Sequence, residues 1–489
     1  MQTEPKAYDL VIIGGGPAGI VAAATAKASH KTVALVDSHR ELGGAGVNTG
    51  TVPSKTLRET ALALSGIEAR KLTGVDLSLK YDVKVADFMR HEQHVKAGFN
   101  AMISHLLKSH KADVYMGTGS FMDPHTIRIQ PGHARQAMDQ SSTAEGEIVL
   151  RGESVLIATG SSPLRPALFP FDSANIYDSD TILSLDGLPE RMAVVGAGVV
   201  GSEYACTFAI LGTHVDLIDG RDVLLPFLDA EVSRALTAAM GRNGVVFHLN
   251  ENILDCRGRG ESGIRLYLSS GSTLMVEALL VAAGRKSNTE KLNLAAAGVA
   301  VGEHGVIPVD DHFRTCVPHI YAAGDVIGFP ALASTSMEQA RRAVSHALGL
   351  ESRVGISHLL PNGIYTIPEV SMVGETEESL QKQGVDYVVG RARYQDNARG
   401  RIIGDTDGFL KLLFRREDMK LLGVHIMGEQ ATEIVHVGLM AMLSGCTADV
   451  FIEACFNAPT LGALYKNATI DARLSASGAN AASSELAAA

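Results

Sequence analysis

The sequence predicts an α/β protein with two doubly wound domains and a third, C-terminal domain of the α+β class. Two segments, 8–37 and 191–219, each read as an apolar strand, a glycine-rich turn, a helix, a second strand and a final acid. After residue 350 the pattern changes to short strands that alternate with turns. A chain of 489 residues is long enough for about three domains.

The first segment carries Gly14, Gly16 and Gly19 between the strand YDLVII and a helix of small residues, and its second strand ends at Asp37. Gly14 permits the tight turn, Gly16 lets the backbone approach a pyrophosphate, and Gly19 lets the helix pack on the strand. The helix N-terminus favours the phosphate charge. Asp37 is placed to accept hydrogen bonds from a ribose, so this segment predicts a dinucleotide site.

The second segment repeats this order with Gly196, Gly198 and Gly201, and its second strand ends at Asp219. Two dinucleotides are therefore expected. Asp219 favours the free 2'-hydroxyl of NAD, whereas Arg221 could pair with the 2'-phosphate of NADP. The sequence leaves both nucleotides open.

The C-terminal part predicts strands within YTIPEVSMVGETEE, GFLKLLF and LLGVHIMGE, followed by the helix ATEIVHVGLMAML. The final SASGANAASSELAAA has too few apolar residues to build a core and is expected to be disordered.

The composition excludes several function classes. The net charge is −11, from 43 Lys and Arg against 54 Asp and Glu, so no basic surface favours nucleic acid or a membrane as a partner. The N-terminus shows no signal region, and no apolar run reaches the ~18 residues that span a bilayer. A cytoplasmic protein is therefore expected.

The cysteines show neither CxxC nor CxxxxC spacing. This pattern fits a reducing compartment and argues against a zinc site and a disulfide framework, so no metal is expected. Buried free thiols are the expectation for all five. They are Cys206, Cys256, Cys316, Cys446 and Cys455.

The segment GGAGVNTGTVPSK, which begins at Gly43, resembles GGxCxNxGCxPSK, the redox motif of the FAD-dependent pyridine nucleotide-disulfide oxidoreductases. ATGSSP resembles their crossover strand, and TCVPHIYAAGDVIG resembles the segment that binds the flavin ribityl chain. The resemblance covers roughly residues 7–470. Gly46 and Thr51 stand where this family has its two cysteines, so the chain cannot form the redox disulfide.

The resemblance implies five segments and a homodimer or higher homo-oligomer. The segments are 1–158 and 285–350 for the FAD-binding domain, 159–284 for the NAD(P)-binding domain, 351–475 for dimerisation and 476–489 for a disordered tail.

Family members that act on dithiols also present HPTxxE, a His and Glu pair that works as acid and base at the thiols. The present chain reads APTLGA at 458–463. Without thiols and without this pair, dihydrolipoamide, glutathione and mercuric ion are poor substrates.

The family residues that act where nicotinamide meets the flavin have matches in this chain. Lys55 matches the family lysine beside flavin N5, Glu203 matches its ion-pair partner, and Val199 matches the residue that gates the nicotinamide pocket. A cation at N5 stabilises the electron density that arrives with hydride, so Lys55 and Glu203 are the predicted catalytic residues. The fingerprints and the resemblance give as cofactor-binding residues Gly14, Gly16, Pro17, Ala18, Gly19, Asp37, Gly44, Thr51, Lys55, Thr159, Gly160, Gly196, Gly198, Val199, Gly201, Glu203, Asp219, Arg221, Gly284, Gly324, Asp325 and Ala333.

These residues predict a flavoenzyme that carries hydride between NADPH and NAD without a redox disulfide. The pattern is similar to that of the soluble pyridine nucleotide transhydrogenases, which keep the first cysteine and have threonine at the second. FAD is the expected cofactor, and NAD and NADP are the expected substrates. Two alternatives stay open: an NAD(P)H oxidase, diaphorase or quinone reductase, and a flavin-binding regulatory protein without turnover.

Overall fold

A computed structural model describes residues 4–66, 85–131, 148–258, 263–350 and 359–477. The chain divides into two compact units. The first comprises Met1–Thr56, Met89–Leu164 and Gly284–Ile356, and the second comprises Leu57–Phe88, Arg165–Ala283 and Ser357–Ala489. Among the described residues, no helix is both long and apolar enough to cross a membrane.

The described residues form twelve α-helices. In chain order they are α1 (Pro17–Ala28), α2 (Gly44–Asn48), α3 (Thr51–Ser65), α4 (Val85–Ser109), α5 (Val199–Ile210), α6 (Ala230–Arg242), α7 (Ala333–Ala347), α8 (Glu377–Gln383), α9 (Ala398–Ile403), α10 (Ala431–Leu443), α11 (Asp449–Glu453) and α12 (Leu464–Ala476).

A seven-stranded sheet forms the centre of the first unit. Its strands are β1 (Lys6–Ile13), β2 (Val33–Asp37), β3 (Asp113–Met116), β4 (Thr118–Asp123), β5 (Thr126–Gln130), β6 (Ile148–Ile157) and β17 (Ile320–Ala322). The order is β3-β2-β1-β6-β5-β4, and β17 pairs with β6. β1 is parallel to both of its neighbours, with Leu10 opposite Val33. Its continuous apolar run is typical of a parallel strand that is buried on both faces.

The second unit contains a five-stranded parallel sheet in the order β11-β10-β9-β15-β8. Its strands are β8 (Ile176–Tyr177), β9 (Arg191–Val195), β10 (His214–Asp219), β11 (Val245–Leu249) and β15 (Ala278–Val281). A smaller antiparallel sheet follows β11 and consists of β12 (Ile253–Gly258), β13 (Ile264–Leu268) and β14 (Thr273–Val276).

The C-terminal part of the second unit is a five-stranded antiparallel sheet in the order β18-β19-β22-β21-β20. Its strands are β18 (Asn362–Ile364), β19 (Val370–Gly374), β20 (Tyr387–Arg393), β21 (Phe409–Arg415) and β22 (Leu421–Met427). One face is covered by α10 and α12, whose apolar side chains share a buried cluster with the strands.

The predicted fold class is confirmed: two doubly wound sheets are followed by an antiparallel sheet with helices. The predicted C-terminal strands and the helix after them are present, and β18 and β20 are strands that lie outside the predicted segments. The segment predicted to be disordered lies outside the described residues except for Ser475, Ala476 and Ser477. Ser475 and Ala476 end α12, and Ser477 is its C-cap residue. The predicted domain boundaries stay predictions.

Candidate functional site

The first glycine fingerprint is shaped by backbone contacts. Gly14 has a φ of +112°, and a Cβ there would meet the carbonyl oxygen of Ala158. A Cβ at Gly19 would meet the carbonyl oxygen of Gly14. Beside Gly16 the space is open, since the nearest atom to a Cβ would be Gly44 Cα at 3.9 Å. The outer glycines are therefore needed for packing, and the middle one leaves room at the N-terminus of α1.

The second fingerprint repeats this arrangement in the second unit. Gly196 has a φ of +100° and lies against the carbonyl oxygen of Ala282, and Gly201 lies against that of Gly196. Apart from its chain neighbours and the backbone of its own helix, no described residue has a heavy atom within 4 Å of a Cβ built at Gly198. Gly198 is also the N-cap residue of α5 and provides no side-chain cap. Both helix N-termini thus fit the pyrophosphate of a dinucleotide.

In each fingerprint, the acid at the end of the second strand accepts a hydrogen bond from the glycine turn. Asp37 Oδ2 accepts a hydrogen bond from Gly15 N at 2.6 Å, and Asp219 Oδ2 accepts one from Ala197 N at 2.6 Å. Each carboxylate therefore lies beside the glycine turn, where the family places the ribose of its nucleotide.

Arg221 binds Asp219 directly. Arg221 Nε lies 2.8 Å from Asp219 Oδ1, and Arg221 Nη2 lies 2.7 Å from Asp219 Oδ2. Burial opposes ionisation of Asp219, but the hydrogen bonds from Arg221 and from Ala197 N outweigh burial, and the pKa of Asp219 is lowered. The two residues predicted to choose between NAD and NADP are therefore one ion pair rather than two separate contacts.

Gly46 and Thr51 occupy the positions of the family's cysteines. A Cβ at Gly46 would lie 2.6 Å from Pro17 Cγ, so a larger residue there requires the proline ring to shift. Pro17 is the first residue of α1, and Thr51 is the exposed first residue of α3. Gly44 has a φ of +52°, and a Cβ there would lie 2.9 Å from Gly16 Cα.

The predicted catalytic residues are placed on two helices. Lys55 is half-buried on α3, and its Nζ donates to Ser54 Oγ at 3.3 Å. Glu203 is buried on α5, and its Oε1 accepts a hydrogen bond from Tyr365 N at 3.0 Å. Tyr365 is 162 positions away in sequence, and sequence reasoning missed it. Lys55 belongs to the first unit and Glu203 to the second, so their predicted ion pair stays a prediction.

The remaining predicted residues of the first unit lie at turns and helix starts. Gly160 has a φ of +66° and precedes β7 (Ser161–Pro163), whereas Gly284 has a φ of +112° and precedes β16 (Arg285–Ser287). These two short strands pair antiparallel. Thr159 Oγ1 donates to Asn288 O at 2.8 Å.

The segment TCVPHIYAAGDVIG (315–328) contains a turn formed by a glycine and an acid. Gly324 has a φ of +81°, and its N donates to Gln339 Oε1 at 2.9 Å. Asp325 follows and accepts a hydrogen bond from Ser161 Oγ at 2.7 Å. Ala333 begins α7, which has no side-chain cap.

Two further predicted residues lie at the starts of the fingerprint helices. Ala18 is buried in the first turn of α1, and Val199 is the half-buried first residue of α5.

The cysteines correct one expectation. Cys206 and Cys256 are buried, as expected, but Cys316 and Cys455 are exposed, and Cys446 is partly exposed. Burial raises the pKa of Cys206 to about 12, so this thiol beside the second fingerprint stays protonated near neutral pH.

Comparison with known proteins agrees with this geometry. The family model described as pyridine nucleotide-disulphide oxidoreductase matches residues 8–347, and the model of the dimerisation domain of the same family matches 360–469. A protein of Mycobacterium bovis named soluble pyridine nucleotide transhydrogenase is 46% identical over 95% of this chain and 97% of its own length. A protein of the same name from Pseudomonas fluorescens is 39% identical over 95% of this chain and 98% of its own. The crystal structure of LpdA from Mycobacterium tuberculosis superimposes with a TM-score of 0.85 at 26% identity, covering 95% of this chain and 99% of that one.

Proposed function

Because the chain belongs to the pyridine nucleotide-disulphide oxidoreductase family, we propose that it is an FAD-dependent transhydrogenase that moves hydride between NADPH and NAD. The observation that carries this proposal is the combination of two intact dinucleotide fingerprints with the loss of both redox thiols at Gly46 and Thr51. A flavin that cannot pass electrons to a disulfide can return them to a second nicotinamide nucleotide.

The first fingerprint would hold FAD. The open space at Gly16 and the uncapped N-terminus of α1 fit a pyrophosphate. Asp37 is assigned to the adenosine ribose and Asp325 to the ribityl chain. FAD, when bound, supplies a group that accepts and gives back two electrons as hydride.

The second fingerprint would hold NAD(H) and NADP(H) in turn. Gly198 opens the backbone to the pyrophosphate, and Asp219 and Arg221 lie where the 2'-position of the ribose is read. One such site serving two nucleotides in succession predicts ping-pong kinetics.

Lys55 and Glu203 are assigned to the reacting centre. With FAD bound, the ammonium of Lys55 would stabilise negative charge at the reacting ring, and a preorganised charge of this kind contributes a few kcal/mol. Glu203, fixed by Tyr365 N, is assigned to the nicotinamide pocket. The family's dimerisation domain supports a homodimer as the working form.

An anaerobic steady-state assay with NADPH and a reducible NAD analogue tests the proposal. We expect hydride transfer from NADPH to the analogue, with parallel double-reciprocal lines. The holoprotein of Lys55→Met is the matched variant and should transfer hydride roughly 10- to 1000-fold more slowly. In a separate measurement the NADPH-reduced protein is mixed with NAD or with oxygen, and reoxidation by oxygen but not by NAD would favour an oxidase instead. A flavin that NADPH cannot reduce would establish a protein without turnover.

A further inference from the structure

Ser161 connects two charged side chains of the first unit. Arg285 Nε donates to Ser161 Oγ at 2.8 Å, and Arg285 Nη2 donates to Ser161 O at 2.7 Å. Ser161 Oγ lies 2.7 Å from Asp325 Oδ2. The three residues come from β7, from β16 and from the turn after β17, so tertiary structure alone brings them together.

The direction of these hydrogen bonds follows from the donors. A guanidinium nitrogen can only donate, so the Ser161 hydroxyl accepts from Arg285, and its own hydrogen points to Asp325. A hydroxyl between a cation and a carboxylate is polarised by both, and charge-assisted hydrogen bonds are roughly twice as strong as neutral ones. This arrangement fixes one oxygen of the Asp325 carboxylate.

The surrounding backbone is held independently of this arrangement. Asn288 N donates to Gly160 O at 3.0 Å, and Ser162 Oγ donates to Asn288 Oδ1 at 2.7 Å. Ser287 Oγ donates to Asp325 O at 3.2 Å. The pairing of β7 with β16 therefore has its own hydrogen bonds, and the link from Arg285 to the Asp325 side chain adds orientation. Ser161, Arg285 and Asp325 all line a cavity of about 170 Å³.

We propose that Arg285 and Ser161 are positioning residues for the cofactor's ribityl chain. Arg285 orients the Ser161 hydroxyl, the hydroxyl holds Oδ2 of Asp325, and the other oxygen of the carboxylate is thereby presented to a ribityl hydroxyl. This inference rests on the proposed function, because it takes FAD as the cofactor and Asp325 as its ribityl ligand.

Two adjacent serines of β7 provide the test. Ser161→Ala removes the link to Asp325, whereas Ser162→Ala removes a hydrogen bond of the same strand that goes to Asn288. FAD is titrated into each apoprotein, and quenching of flavin fluorescence gives the Kd. Ser161→Ala should raise the Kd for FAD about 3- to 10-fold, the range of one net hydrogen bond. Ser162→Ala should leave the Kd near the wild-type value, and Ser161→Thr, which keeps the hydroxyl, should restore it.

The thermal unfolding of the apoproteins separates positioning from a purely structural role. The Ser161→Ala and Ser162→Ala apoproteins should melt at similar temperatures, because the predicted loss concerns bound FAD. Equal FAD affinity of the two variants, or no rescue by Ser161→Thr, would overturn the proposal. Arg285→Gln removes the guanidinium that orients the Ser161 hydroxyl. If Ser161→Ala does not fold, the Kd of the Arg285→Gln variant for FAD serves as the test, and an unchanged Kd would overturn the proposal. A wild-type protein that does not bind FAD would instead overturn the proposed function.

Discussion

Asp219 accepts four hydrogen bonds through its two carboxylate oxygens: one from Ala197 N, one from Arg221 N and two from the Arg221 guanidinium. The ion pair therefore shapes the glycine turn as well as the ribose site. A 2'-phosphate can recruit Arg221 only by exchanging one charge-assisted bond for another. At the scale of residues, the proposed function therefore predicts that the two nucleotides are distinguished by a competition for one guanidinium.

This competition gives a prediction on nucleotide affinity. Arg221→Ala should weaken NADP binding about 10- to 150-fold, the value of a lost charge-assisted hydrogen bond, while NAD binding changes little. Asp219→Asn should weaken NAD binding and tighten NADP binding, because it frees Arg221. Arg257→Ala is the matched control, since Arg257 pairs with Asp255 at the same sequence spacing on an exposed strand.

The measurement is the Kd of each nucleotide for the four proteins, with the double variant of Asp219 and Arg221 added. The two substitutions should be non-additive, because each removes the same ion pair. A loss that is equal for NAD and NADP in the Arg221 variant contradicts the assignment.

At the scale of elements, a buried lysine ties helix α6 to strand β21 within the second unit. Lys411 is 1% exposed in its side chain and Asp229 is 0% exposed. Lys411 Nζ lies 2.8 Å and 2.9 Å from the two carboxylate oxygens of Asp229, the N-cap residue of α6. It also contacts Glu231 at 3.0 Å and the carboxylate of Glu377. Burial opposes the charge of Lys411, but these carboxylates outweigh it and raise its pKa.

Removal of this lysine should be costly. Lys411→Met leaves the carboxylate of Asp229 buried without its cation, and breaking a buried pair in this way costs about 3 to 5 kcal/mol. Arg391→Met is the control, because Arg391 pairs with Glu231 nearby but is 44% exposed, and exposed pairs contribute less than about 1 kcal/mol. Urea unfolding of both holoproteins at pH 7, followed by far-UV circular dichroism because the chain has no tryptophan, gives the comparison. Equal unfolding midpoints would show that the buried pair contributes no more than the exposed one.

The elements also show what sequence reasoning can reach. The glycine turns were predictable because tight backbone contacts at Gly14 and Gly196 demand glycine locally. The contact of Lys411 with Asp229 spans 182 positions, and the link of Ser161 to Asp325 spans 164. Such contacts have no local periodicity, although a lysine inside the apolar strand GFLKLLF was a signal that a buried partner would be needed.

At the scale of the whole molecule, the same arrangement of glycine turn and acid occurs twice. In each unit the residue after the first glycine donates its N–H to the acid at the end of the second strand, at 2.6 Å in both cases. The redox dithiol of the family is absent, because Gly46 and Thr51 stand at the positions of its two cysteines. Under the proposed function the two fingerprints hold the two nucleotides, and FAD is the single expected store of electrons.

This electron count gives the last prediction. In an anaerobic dithionite titration, full reduction should consume one two-electron equivalent per FAD and show no long-wavelength band from thiolate to flavin. The double variant Cys316→Ser, Cys455→Ser removes the two exposed thiols and should titrate like the wild type. Cys206 is buried, and its raised pKa keeps it protonated, so it should not add a charge-transfer band. Consumption of a second equivalent by the wild type would show that a pair of the remaining cysteines stores electrons, and a return to one equivalent in the double variant would identify the exposed pair as that store.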